Sequence, residues 1–124
     1  MIDSIVQKER REHKRYLARY GSFYVHSPRW NVSGEILDIS SSGLSFCYIS
    51  EEPLSDSSVT GKLFDNDRFR LNDIRLKTVS DYKIATSSII MRRRGIHFCD
   101  LSPAQVEQIE EFIRDNGLRE TIQS

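Results

Sequence analysis

The chain has 124 residues, of which 38% are hydrophobic and 29% charged. That balance suits one folded domain with a modest core and excludes a disordered chain. Its 18 basic and 18 acidic residues cancel, so global charge gives no push toward nucleic acid or an anionic membrane, and any such partner must find a local patch.

The first twenty residues form a polar, basic leader. Between Lys8 and Arg19 there are six Lys or Arg residues against Glu9 and Glu12. The opening "MIDSIVQKERREHKRYL" has no secretory h-region, and no run approaches transmembrane length, so the expected setting is cytoplasmic. Short alternating segments rich in aromatic and β-branched residues follow at 22–27, 34–40 and 42–50, each reading as a strand. "GKLFDNDRFRL" reads as two strands joined at Asp65-Asn66-Asp67. Three further strands are expected near 74–80, 83–91 and 93–99. Six or seven short strands at close spacing point to a small barrel or sandwich.

The period then changes. Ser102, Pro103 and Gln105 make a capping box with proline at the first helical position. Val106, Ile109 and Ile113, with Phe112 alongside, form an apolar stripe that should pack on the barrel or on a partner. Asn116-Gly117 ends the helix. Residues 1–20 thus read as a leader belonging to the domain, 21–117 as the strands and helix, and 118–124 as a tail.

Little conventional chemistry is visible. Cys47 and Cys99 sit in apolar surroundings and read as two core thiols rather than a disulfide or metal pair. His13, His26 and His97 are scattered without ligand spacing, so no metal and no cofactor are expected. No nucleophile with a neighbouring base and no P-loop appears, and the chain does not read as an enzyme. Trp30, Tyr16 and Tyr20 read as packing residues. "MRRRG" at 91–95 reads as a solvated strand end; one of Arg92, Arg93 or Arg94 joins a site only if that strand borders it.

Two motifs remain. Arg11 and Arg15, with Arg10 just before them, make R-x-x-x-R. Guanidinium makes bidentate bonds to phosphate oxygens or to the O6/N7 edge of guanine. Alone, the motif reads as a solvated basic arm. Asp38, Ser40 and Gly43 make D-x-S-x-x-G at a strand end. If Leu37 and Ile39 face inward, Asp38 and Ser40 lie side by side on the outer wall, where they can accept or donate hydrogen bonds to a base or phosphate. Gly43 permits positive φ and a close backbone approach by a ligand. Alone, this motif reads as an Asx/Ser turn.

Together, R-x-x-x-R and D-x-S-x-x-G a couple of dozen residues later resemble the PilZ domain family. "GLSF" after the second motif, "RRGIHFCDLS" and the terminal helix fit as well, so the resemblance spans roughly residues 8–115. It implies a mainly β fold: a six-stranded antiparallel barrel with a flexible N-terminal leader and one C-terminal helix. It also implies a receptor for the bacterial second messenger cyclic di-GMP, with Arg11 and Arg15 clamping the ligand and Asp38, Ser40 and Gly43 forming the opposing wall. In several relatives a basic residue in the place of Arg10 goes with two stacked ligand molecules. An unidentified protein partner, in motility, polysaccharide or transcription machinery, would receive the signal. The competing readings are a PilZ-like adaptor that binds no nucleotide, and nucleic-acid binding through the leader, which zero net charge argues against.

Overall fold

The computed structural model describes residues 14–18, 23–65, 70–84, 88–115 and 119–120. Eight antiparallel strands and one helix lie within them: β1 Tyr16–Leu17, β2 Phe23–His26, β3 Gly34–Ile39, β4 Gly43–Ile49, β5 Ser58–Asp65, β6 Arg70–Ile84, β7 Met91–Cys99, α1 Pro103–Asp115 and β8 Arg119–Glu120. The sheet order is β2-β5-β6-β7-β4-β3-β1-β8, and a further pairing of β2 with β3 closes it. The result is the six-stranded barrel that the sequence implied, built from β2 to β7. Closure removes the sheet edges that would otherwise invite another chain.

Alternation sends one side of each strand inward. Phe23 and Val25 on β2, Leu44, Phe46 and Tyr48 on β4, and Leu71, Ile74 and Leu76 on β6 are buried together. Helix α1 covers one side of this core. Ile109, Phe112 and Ile113 are buried while Val106 is half-buried, and the Phe112 ring meets Phe23 edge-on with centroids 5.0 Å apart. Burying side chains of this size contributes about 1.5–3 kcal/mol each. The capping box forms as the sequence predicts: Ser102 N donates to Gln105 Oε1 at 3.0 Å, and Gln105 N donates to Ser102 Oγ at 3.1 Å. Asn116-Gly117 lies outside the described residues.

Three bulges reshape the strand pattern. Between Ile36 and Asp38 the β3–β4 register slips by one residue. Leu37 is the extra residue, so Ile36 and Ile39 fill the core while Leu37 is only half-buried. The expected inward pair of Leu37 and Ile39 is therefore wrong, because a bulge inverts the alternation on one side of it. The Leu37 carbonyl instead accepts the Ala18 N–H at 2.9 Å, which ties the leader to β3.

The other two bulges lie in β6. The expected separate strands at 74–80 and 83–91 are one strand of fifteen residues, and its connection to β7 falls after Ile84. Asn72 and Asp73 form a bulge against β5, with Asp73 at φ 57°. The carbonyls of both accept hydrogen bonds from Gln105 Nε2. Val79 is the extra residue against β7. Asn72-Asp73, just before the strand expected at 74, and residues 81–82, between the two expected strands, thus lie within one continuous strand. Among the described residues, no helix is long and apolar enough to cross a membrane.

Candidate ligand-binding site

The site begins with the register of three strands. Asp38 on β3 lies opposite Ser45 on β4, and Leu17 on β1 lies opposite Asp38 on its other side. On β7, Arg93 pairs with Cys47, two residues along β4 from Ser45 and on the same face. Side chains from β3, β4 and β7, with Arg15 just before β1, therefore converge on one patch of the outer wall.

Asp38 is the centre of that patch, with only 6% of its surface exposed. Its Oδ1 accepts Arg15 Nη1 at 2.9 Å and Ser45 Oγ at 3.0 Å. Its Oδ2 accepts Arg93 Nη2 at 3.1 Å, and the same Nη2 donates to Ser45 Oγ at 3.0 Å. A nearly buried carboxylate needs such donors, because without them its desolvation would cost several kcal/mol. Two guanidiniums, each with more than a third of its side chain exposed, meet at this one carboxylate. The cluster is therefore suited to an anion.

The two sequence motifs meet here, since Arg15 lies 23 residues before Asp38 and still bonds to it. Arg10 and Arg11 lie outside the described residues. Ser40 is buried within the turn: its hydroxyl accepts Ser42 N at 3.2 Å and lies 3.4 Å from the Gly43 carbonyl, to which it donates. Gly43 lacks the expected left-handed φ. What demands glycine is the neighbouring strand, because a Cβ there would lie 2.2 Å from the Ile96 carbonyl oxygen. Gly43 thus lets β4 lie close against β7, the strand that carries Arg93.

Sequence reasoning missed Ser45 and left Arg93 open. Ser45 was within reach: in a hairpin between β3 and β4, alternation from Gly43 puts it on the outer face opposite Asp38. Arg93 required knowing that β7 pairs with β4, a long-range fact with no local signal. Cys47 is buried beside it, whereas Cys99 is half-buried, and both are free thiols. Burial, and then the Glu35 carboxylate, push the Cys47 thiol above its ordinary pKa.

The flanking arginines of β7 have other work. Arg94, 2% exposed, donates to Thr78 Oγ1, to Asp81 Oδ2 and to the carbonyls of Leu54 and Asp56. Arg92 donates to Asp81 Oδ1 and to the Glu51 carbonyl. Tyr48 Oη donates to Asp81 Oδ2 at 2.6 Å and accepts Leu54 N at 3.1 Å. These bonds fasten the 50–57 loop to the strands on which the cluster is mounted. Among the described residues, no group of three His, Cys, Asp or Glu side chains could hold a metal.

Closed barrel, covering helix and a charged cluster at a strand end together define a small β-barrel domain with an anion-suited wall. The PilZ domain profile matches residues 9–115, and the chain belongs to that family. Solved structures agree on the fold. The PilZ domain of YcgR from Escherichia coli, solved with c-di-GMP, superposes with a TM-score of 0.67 at 15% identity, over 86% of this chain and 90% of that one. The K. pneumonia MrkH complex with c-di-GMP gives a TM-score of 0.70 at 19% identity over 86% of this chain, which spans only 52% of MrkH. Borreliella burgdorferi PlzA in complex with c-di-GMP gives 0.61 at 10% identity, over all of this chain and 61% of that one. No curated protein matches the chain.

Proposed function

We propose that this protein is a non-enzymatic cyclic di-GMP receptor whose ligand holds the arginine-bearing leader against the barrel wall. The observation that carries the reading is the Arg15–Asp38 ion pair, which joins the leader motif to the strand-end motif. The family membership and the c-di-GMP bound in the structural neighbours support the ligand's identity.

The ligand carries two phosphate charges and two guanine edges. Arg15, with Arg11 and Arg10 before it, supplies guanidinium for phosphate oxygens and for the O6/N7 edge, and Asp38 accepts guanine N–H groups. Ser40 and Gly43 contribute by shaping the turn and its approach to β7. A ligand that touches leader and wall together stabilises only the closed arrangement, which makes the leader a switch. Ordering its backbone costs about 1–2 kcal/mol per residue, and charge-assisted bonds at about 1.5–3 kcal/mol each offset a short ordered segment. The changed surface is then offered to a protein partner in motility, polysaccharide or transcription machinery, in the cytoplasm.

Titration calorimetry with cyclic di-GMP tests this reading. Saturable binding is expected for the native chain, with loss of about tenfold or more in affinity for Arg15→Ala and for Asp38→Ala. No binding by the native chain, or unchanged affinity in both variants while the barrel stays folded, overturns it.

A further inference from the structure

We propose that Arg93 is a ligand-binding residue of this site: a guanidinium mounted on the barrel that grips the anion opposite Arg15. The inference rests on the cyclic di-GMP reading and adds a residue that belongs to neither sequence motif.

Three observations carry it. First, β7 places three consecutive arginines in three different situations. Arg92 and Arg94 face inward, with side chains 11% and 2% exposed, and their donors are spent on Asp81 and on loop carbonyls. Arg93, between them, faces outward with a side chain 36% exposed. Its hydrogen bonds among the described residues run through Nη2 alone. Among the described residues no hydrogen bond runs from Nε or Nη1, and the exposed part of the side chain can meet an acceptor from solvent. A guanidinium with one edge anchored and another open is disposed for bidentate capture of a phosphate or a guanine O6/N7 edge.

Second, both guanidiniums of the cluster can be reached from outside. The Arg15 and Arg93 side chains are 37% and 36% exposed, and Gly95, the cross-strand partner of Ser45 on β7, adds no side chain of its own beside Asp38 and Ser45.

Third, Arg93 is carried by the barrel itself. Arg15 precedes a strand of two residues, whereas Arg93 lies within a nine-residue strand held by the Arg92 and Arg94 anchors. Its backbone is ordered by folding itself, so its bonds to a ligand are made without the ordering cost the leader bears. Asp38 then acts as a hub that orients two guanidiniums, one from the leader and one from the barrel.

The test uses the full chain with Arg93→Ala, Arg93→Lys and, as a charge-loss control, Arg75→Ala. Arg75 lies in an exposed pair with Asp100, with its side chain 62% exposed. Calorimetric titration with cyclic di-GMP should show affinity about tenfold weaker or worse for Arg93→Ala, since charge-assisted bonds are lost. Recovery should be partial in Arg93→Lys, which keeps the charge without the fork, and Arg75→Ala should match the native chain. The Arg93 Nε–H resonance of the native protein should move on adding ligand. Native binding with Arg93→Ala within twofold of Arg75→Ala overturns the inference while leaving the receptor reading intact. A weakened variant whose native Arg93 Nε–H signal stays put also overturns it, because Arg93 would then act only as a prop for Asp38. Should Arg93→Ala fail to fold, the Lys variant and the resonance decide alone. Absence of binding by the native chain removes the receptor reading first, and this inference with it.

Discussion

Arg94→Met removes one buried charge while retaining most of the side chain's apolar stem. The guanidinium makes four hydrogen bonds, at 2.7 Å to Thr78 Oγ1, 3.0 Å to Asp81 Oδ2, 3.1 Å to the Leu54 carbonyl and 2.9 Å to the Asp56 carbonyl. Breaking a buried pair by removing one partner costs about 3–5 kcal/mol. Two features move the expectation to the lower end. Asp81 keeps Arg92 Nε at 2.5 Å and Tyr48 Oη at 2.6 Å, and the freed loop carbonyls can turn to water. The expected loss is therefore about 3 kcal/mol, a large share of the ~5–15 kcal/mol that stabilises a domain. In urea unfolding, at a slope of about 1–3 kcal/mol per molar, the midpoint should fall by roughly 1–3 M without a change in slope. The exposed Arg75–Asp100 pair sets the scale for a surface ion pair, and Arg75→Ala should cost about 0–1 kcal/mol. If Arg94→Met shifts the midpoint no further than Arg75→Ala does, the interior charge cluster does not anchor the barrel as argued.

Three other outcomes follow from the same contacts. Gly43→Ala puts a methyl group against the Ile96 carbonyl, so β4 and β7 must part; urea melts should show a loss of about 1–3 kcal/mol, together with weaker ligand binding. Ser102→Ala removes the hydroxyl that accepts Gln105 N and should cost about 1 kcal/mol in the same melts. Tyr48 has a pKa raised by burial and then by its bond to Asp81, so above about pH 10 the unfolded chain loses a proton that the folded chain keeps. The folded state binds more protons there, and stability falls as pH rises. Between about pH 9 and pH 11, Tyr48→Phe should lose stability less steeply than the native chain, and identical slopes would contradict the link.

Local features were legible in the sequence and long-range ones were not. The capping box at Ser102 and the short strands at β2, β3 and β4 depend on neighbours a few residues apart, which the sequence displays directly. The bulges at Leu37, Asn72-Asp73 and Val79 depend on what the facing strand does. Asp81 illustrates the difference. It falls between the strands expected at 74–80 and 83–91, yet the bulge at Val79 lets it meet Tyr48, Arg92 and Arg94 inside the barrel. Strands β1 and β8, two residues each, are too short to show a pattern, and their pairing joins the leader to the segment after the helix. In the site, the Arg15–Asp38 meeting was implied by the resemblance. Arg93 became visible only through the pairing of β7 with β4.

The most direct test of the central claim is amide NMR of the ¹⁵N-labelled full chain titrated with cyclic di-GMP. The account expects saturable shifts concentrated at Arg15, at Asp38 to Ser45 and at Arg93, with the 50–57 loop on the far side of β7 little changed. No saturable shifts, or shifts confined to residues away from that wall, would contradict it.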